Sequence, residues 1–343
     1  MTADLLEIVP ERHRAAVAGA LRRAFGNVPM TAFTQLSGGR SGTLIYRVDM
    51  GDVRSVVRLV AQPNALNDPA RQFAAMTVAS DEGIAPYLHY DDAESGIAIT
   101  DFVQAVPWSE AFASGTTTIA ALGAQIRRLH GGPAIAAFLD AFQCIDGGLE
   151  TLRGAGATLP PMLRAYLPRF DDVRRMLAPH VVLVSSHNDL NPGNLLYDGA
   201  RLWIIDWEAA WQNDEMFDVA TVLHWFGMEG EREEALLRGY FGAEPTALQR
   251  AKLELTRQVV LCYYGLIFLL LTLQAGEVIP ALDPEPDTLP TFAETRLLLA
   301  TGKLPLGNAA QRTEFSLIMI NDAMRRMAAP SYGAAVATLA GAV

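Results

Sequence analysis

The chain has 343 residues, half of them hydrophobic and 19% charged, a globular composition with enough material for two lobes and a sizeable core. Its formal net charge of −11 and the lack of any Lys/Arg run argue against a nucleic-acid surface, while an acidic exterior tolerates a cationic small molecule. Cys144 and Cys262 have neither Cys-x-x-Cys nor metal-ligand spacing, so they read as thiols of a reducing compartment, and the cytoplasm is the expected location.

Asp4, Glu7 and Glu11 interrupt the apolar residues at the start, which does not suit a secretory leader. Residues 10–25 have the pattern of an amphipathic helix, with Pro10 near its start and Gly26 after its end. Three short strand patterns follow, Phe33–Ser37, Leu44–Met50 and Val53–Val60, and Gly51-Asp52 reads as a tight hairpin between the last two. Asp68–Glu82 is helical in pattern and is stopped by Gly83 and Pro86. Tyr87–Tyr90 and Ile97–Val103 complete a β-β-β-α-β-β order, a small antiparallel sheet with one helix.

After Pro107 the periodicity becomes helical, at Thr118–Leu129 and Leu163–Leu177. A short strand, Val181–Ser185, leads to His187-Asn188-Asp189-Leu190-Asn191-Pro192-Gly193-Asn194. A hairpin of Leu195–Tyr197 and Leu202–Ile205 turns at Asp198-Gly199. From Phe217 onward the chain is mostly helical, broken by the proline-rich segment Pro280–Pro290. Val259–Leu273 is fifteen residues without a charge, short of the roughly 20 that span a bilayer, and reads as a buried core helix. The fold class expected is α+β and bilobal: a sheet lobe over residues 1–103 and a larger helical lobe over 104–343.

The chemistry concentrates between 187 and 208. Asp189 is followed five residues later by Asn194 and seventeen residues later by Asp206, at the end of a strand. Kinase-type phosphoryl transfer needs one carboxylate near the attacking hydroxyl and two oxygen ligands on Mg²⁺, and this spacing supplies that set. Asp189 is then the candidate base, with Asn194 and Asp206 as Mg²⁺ ligands; one amide and one carboxylate leave the rest of the metal's shell to phosphate oxygens. Upstream, Gly38, Gly39, Ser41, Gly42 and Thr43 lie between the first two strands, where glycines let backbone N–H groups approach phosphates and the hydroxyls add donors.

Together these motifs resemble the aminoglycoside phosphotransferase and choline/ethanolamine kinase superfamily, relatives of the protein kinases, over about residues 30–275. The resemblance implies ATP as co-substrate and a protein-kinase-like fold. His187 and Asp218 become supports of the catalytic loop. Arg58 takes the place of the phosphate-binding lysine, and backbone groups of Asp101 and Val103 bond adenine, with Val57 and Leu196 as apolar covers. The helix after Arg58 should offer a glutamate, but Gln72 stands there, so Asp68 or the nucleotide phosphates are left to neutralise Arg58. The run 206–218 looks like that of bacterial choline-kinase-like proteins. Trp211, Trp225, Tyr263 and Tyr264 are therefore candidate faces for a cationic acceptor, with Glu208 and Asp214 as its charge partners.

The function expected is an ATP- and Mg²⁺-dependent kinase for a small alcohol, choline, ethanolamine or a similar amine, with no nucleic-acid or membrane partner. Phosphorylation of an aminoglycoside, sugar or homoserine is the alternative within the enzyme class. A nucleotide-binding pseudokinase, suggested by Gln72, is the alternative outside it.

Overall fold

The computed structural model describes residues 5–36, 42–113 and 115–342. Gly38, Gly39 and Ser41 lie outside the described residues. Helix α1 (Glu11–Phe25) precedes strands β1 (Met30–Gln35), β2 (Thr43–Met50) and β3 (Val53–Val60), then helix α2 (Pro69–Asp81) and strands β4 (Leu88–Asp92) and β5 (Ile97–Asp101). The five strands form one antiparallel sheet, as expected, and the structure sets their order as β1-β2-β3-β5-β4. Gly51 takes the left-handed conformation that the β2–β3 hairpin demands, φ +59°.

Period-2 alternation assigns the two faces of this sheet. Tyr46, Val48, Val57, Leu59, Ile97 and Ile99 are buried in a cluster with Val17 and Leu21 of α1. Ile45, Val56, Arg58 and Thr100 line a cleft on the opposite face. Val57 is thus a core residue, and its neighbour Val56 is the one turned to the cleft; the expected cover was one residue out of phase. Helix α2 begins at Pro69 with the Asp68 side chain accepting the Ala70 N–H at 3.2 Å.

The second lobe starts with α3 (Trp108–Ala113), α4 (Thr117–Gly131), α5 (Ala141–Gly154) and α6 (Pro161–Leu177). Short strands β6 (Leu183–Ser186), β7 (Leu195–Tyr197), β8 (Leu202–Ile204) and β9 (Trp211–Asp214) carry the catalytic loop. They pair as β6–β9 and β7–β8. Helices α7 (Glu215–Phe226), α8 (Glu231–Phe241), α9 (Ala247–Gln274), α10 (Phe292–Ala300), α11 (Ala309–Met327) and α12 (Pro330–Ala340) complete the chain.

Helix α9 absorbs the apolar run and extends it at both ends. A capping box starts it, Thr246 accepting the Gln249 N–H and Gln249 accepting that of Thr246. Among the described helices it alone is long and apolar enough to cross a bilayer, yet 72% of its most apolar window is buried in the protein. It is the axis of the helical lobe, packed by α5, α6, α7, α11 and α12. Helices α4 and α8 touch backbone to backbone. A Cβ on Gly123 would collide with the Leu236 carbonyl, and one on Gly239 with that of Ala120.

Three elements were not anticipated from the sequence pattern, the short helix α3 among them. Helix α5 is the second, although Ala141, Ile145, Leu149 and Leu152 recur at helical spacing and Asp140 and Gln143 form a capping box at its start. Strand β9 is rich in polar residues and exists through its pairing with β6, Val184 opposite Asn213.

Candidate active site

The catalytic loop follows β6 and is held from below. Asp218, fully buried in the first turn of α7, accepts the backbone N–H groups of His187 and Asn188, each at 2.8 Å. His130 of α4 adds a third contact at 3.1 Å. Burial alone would raise the Asp218 carboxyl, but the His130 hydrogen bond and the neighbouring imidazole charges outweigh it and hold the group below the ordinary carboxylate range. Asn188 sits at φ +65°, stabilised by side-chain bonds to the Ala209 and Trp211 carbonyls. His187, also buried, places Nε2 2.9 Å from the Ile205 carbonyl and takes the Asp189 N–H on Nδ1 at 3.3 Å. Both His187 and Asp218 tie backbone to backbone, and neither contacts the Asp189 carboxylate.

Asp189 is clasped on both oxygens. Oδ2 accepts from Asn194 Nδ2 at 2.9 Å and Oδ1 from the Tyr264 hydroxyl at 2.8 Å. Desolvation raises its pKa; the hydrogen bonds from Asn191 and Tyr264 and the His187 charge oppose that rise, while the Asp206 charge adds to it. Because the Asn194 nitrogen is committed to Asp189, its amide oxygen is the ligand atom left. Asp206 adopts φ +67°, a left-handed conformation that an aspartate rarely takes and that turns the chain out of β8. Its buried Oδ1 has no hydrogen-bond partner, although the Arg58 guanidinium lies 2.8 Å away. A buried carboxylate oxygen without a hydrogen bond, beside an amide oxygen, fits a hard divalent cation completed by phosphate oxygens.

Arg58 reaches this pair from the sheet. Its Nε donates to Gln72 Oε1 and its Nη2 to Glu208 Oε2, each at 3.0 Å. The expected charge partner of Arg58 was Asp68 or phosphate, but Asp68 caps α2. Glu208 supplies the carboxylate, 150 positions along the chain and just past Asp206. This moves Glu208 away from the acceptor role that the sequence suggested. Arg71, one residue before Gln72, donates to the Glu208 carbonyl at 3.4 Å and stacks against Trp211 and Phe138.

Between the lobes lies a cleft of about 360 Å³, with Val56, Met76, Leu196, Ile205 and Trp207 as apolar walls and Arg58, Asn194 and Asp206 at one end. Asp101 and Val103 border it. The Asp101 N–H is used by the Tyr87 carbonyl at 2.9 Å, whereas the Val103 N–H joins no backbone bond among the described residues. Gly42 has φ +78° and open space over its Cα; Thr43 opens β2 and is buried.

The remaining acceptor candidates divide. Trp211 is buried with its indole 5.2 Å from the chain's own Arg71, so its cation is internal. Asp214 caps α7 through the Met216 N–H and pairs with Lys252 at 2.8 Å. Both act within the fold, because β9 turns them towards the α2 and α9 sides of the lobe. Tyr264 and Trp225 converge next to Asp189, ring centroids 5.0 Å apart. Tyr263 lies edge-on to Tyr264 at 5.2 Å and to Phe217. Phe292 joins Trp225 at 5.7 Å and was missed; the capping box Thr291-x-x-Glu294 after the proline-rich segment was the available signal that a helix starts there.

The model of the phosphotransferase enzyme family matches residues 32–253, almost two thirds of the chain. The chain belongs to this family. Its solved relatives place it on a kinase-like fold. A choline/ethanolamine kinase family protein from Mesorhizobium loti superposes with a TM-score of 0.66 at 22% identity, over 98% of this chain and 97% of that one. The choline kinase LicA from Streptococcus pneumoniae superposes at 0.62 and 16% identity, over 85% and 99%. At these identities the likeness is one of fold. In sequence, LicA of Haemophilus influenzae is 36% identical over 78 residues, which span 23% of this chain and 28% of that protein.

Proposed function

We propose that this phosphotransferase binds ATP in the interlobe cleft and moves its γ-phosphoryl group to the hydroxyl of a small amino alcohol of the choline or ethanolamine type. The observation that carries the reading is the connected set Asn194–Asp189–Tyr264, which joins a metal ligand, a base and an aromatic cluster within hydrogen-bond reach. Adenine packs between Val56 and Leu196 and bonds the Asp101 carbonyl and Val103 N–H. Arg58, held by Gln72 and Glu208, meets the phosphates, to which Arg is well matched. Asn194 and Asp206 hold Mg²⁺, which supplies charge neutralisation at the transferring phosphoryl group. Asp189 orients the acceptor hydroxyl and takes its proton. Positioning matters more than base strength in such a loose transition state. Trp225, Tyr264 and Phe292 offer their faces to the acceptor's cationic end. The choline kinase LicA of Streptococcus pneumoniae, which shares this fold, supports a choline-type acceptor.

Gln72 was the one feature that favoured a pseudokinase. With Glu208 beside it, Arg58 has its counter-charge, and that reading loses its support. Free Cys144 and Cys262 suit an enzyme of the cytoplasm.

Paired variants test the assignment. Asp189→Ala keeps Mg-ATP binding by calorimetry and loses transfer by roughly 10²–10⁴-fold. Asp206→Ala loses the Mg²⁺-dependent part of nucleotide binding. Wild-type turnover in Asp189→Ala would overturn the assignment of the base.

A further inference from the structure

A second cavity, about 460 Å³, lies in the helical lobe between α7, α9, α10 and α11, outside the nucleotide cleft. Its polar walls carry Arg257, Arg296, Arg326 and His224. Two buried nitrogens there have no partner, His224 Nε2 and Arg296 Nε, while a third without a hydrogen bond, Arg257 Nε, faces Glu254 Oε2 at 3.5 Å. The carboxylates of the cavity are mostly spent. Glu233 and Glu254 lie 2.7 and 3.5 Å from Arg257, and Asp322 lies 3.1 Å from Arg326. Glu229 is exposed at the mouth. Arg296 makes no ion pair or hydrogen bond among the described residues.

The fold makes room for that guanidinium. Gly227 ends α7 at φ +57°, and a Cβ there would stand 2.5 Å from Arg296 Nη2. His224 stacks on Phe292 with ring centroids 3.8 Å apart. Burial and then the charges of Arg326, Arg257 and Arg296 keep its imidazole neutral, far below the usual histidine range. The lining carries three arginines against four carboxylates, and among the described residues the guanidinium left without a carboxylate is that of Arg296. A partly buried guanidinium with no counter-ion is costly unless something supplies acceptor oxygens. Buried donors of this kind, aimed into one space, fit an oxyanion.

The cavity is also close to the reacting centre. Arg257, Leu261 and Tyr264 share one face of α9 at i, i+4 and i+7, which places Arg257 about 10 Å along the axis from Tyr264. Tyr264 bonds Asp189, and its ring stacks 6.5 Å from that of His224.

We propose that this cavity is an oxyanion site that takes a carboxylate or phosphate group, with Arg296 as its anchor and Arg257 and His224 Nε2 as further donors. Two sources share that chemistry: an acidic group on the phosphoryl acceptor itself, or a separate anion bound behind the aromatic wall. The first rests on the proposed kinase activity; the binding site does not.

The test uses the full chain with its nucleotide cleft filled by Mg-AMPPNP, so that added phosphate cannot bind there. Inorganic phosphate and malonate are titrated by calorimetry and thermal shift. The wild type binds at least one of them saturably. Arg296→Met and Arg296→Gln weaken that binding by about tenfold or more, the loss of one charge-assisted contact. Mg-AMPPNP affinity stays unchanged in both variants. Equal anion binding in wild type and both variants, or none in the wild type, overturns the proposal. Turnover then identifies the source. A raised KM in Arg296→Met, confined to carboxylate-bearing hydroxyl acceptors, assigns the site to the acceptor. A phosphate effect on turnover of choline-type acceptors, lost in Arg296→Met, assigns it to a separate anion.

Discussion

Glu208→Gln isolates the charge that the nucleotide lobe borrows from the catalytic lobe. The substitution keeps the shape and a hydrogen-bond acceptor for Arg58 Nη2 and removes one negative charge. Hydrogen bonds to charged groups contribute about 1.5–3 kcal/mol. Here the Glu208 side chain is 29% exposed and Arg58 11%, and Asp206 shares the same guanidinium at 2.8 Å. Solvent and the second carboxylate place the loss at the low end, about 1–2 kcal/mol. That is roughly a 5–30-fold fall in kcat/KM for ATP. The direction of a second effect follows from the geometry. Without Glu208, Arg58 pairs more completely with Asp206 and competes with the metal, so the Mg²⁺ concentration for half-maximal rate rises. An ADP-release assay at varied ATP and Mg²⁺ measures both quantities. Unchanged kcat/KM together with an unchanged Mg²⁺ dependence would refute the role given to Glu208. A Gln72→Ala variant, which removes a neutral acceptor for Arg58 and the Nε2 donor to the Asn67 carbonyl but no charge, is expected to raise the Mg²⁺ requirement less.

Tyr264→Phe removes a hydrogen bond that favours the charged form of Asp189, so the Asp189 pKa rises further above its ordinary range. The carboxylate is the active form. The acid limb of the pH–rate profile therefore moves to higher pH in the variant, and an unmoved limb would show that Tyr264 does not hold the base. Gly123→Ala forces a methyl group into the Leu236 carbonyl where α4 and α8 meet. Overpacking of this kind costs about 1–3 kcal/mol, read as a lower denaturant midpoint with kinetics per folded molecule unchanged; an undiminished midpoint would mean that the two helices separate freely.

How much of this was legible in the sequence depended on how local each feature is. Asp189, Asn194 and Asp206 lie within eighteen residues on one loop and hairpin, so their spacing in the chain is close to their arrangement in space. The order of the sheet lobe was legible because strand alternation and turn residues are local signals. The phase of that alternation was not: Val56 and Val57 are both apolar, and only the packing of α1 on one face decides which is buried. Glu208 illustrates the larger gap. It follows an aspartate in a motif that invites a substrate role, and its partner Arg58 lies 150 residues upstream, a pairing no periodicity reveals. Phe292 and the arginine cavity belong to the same class, since they arise where four separate helices meet. Asp214 and Trp211 were read as acceptor contacts because residue type suits a cation site, yet an N-cap and an internal Arg71 contact use the same chemistry for folding.

The most direct test of the central claim is product identification. The protein is incubated with Mg-ATP and, separately, choline, ethanolamine, a homoserine-like amino acid and an aminoglycoside, and the products are followed by phosphorus NMR and mass spectrometry. The account predicts a phosphomonoester on the amino alcohol, formed in step with ADP and absent with Asp189→Ala. Phosphorylation of the aminoglycoside alone, or ADP release with no phosphorylated acceptor, would contradict it.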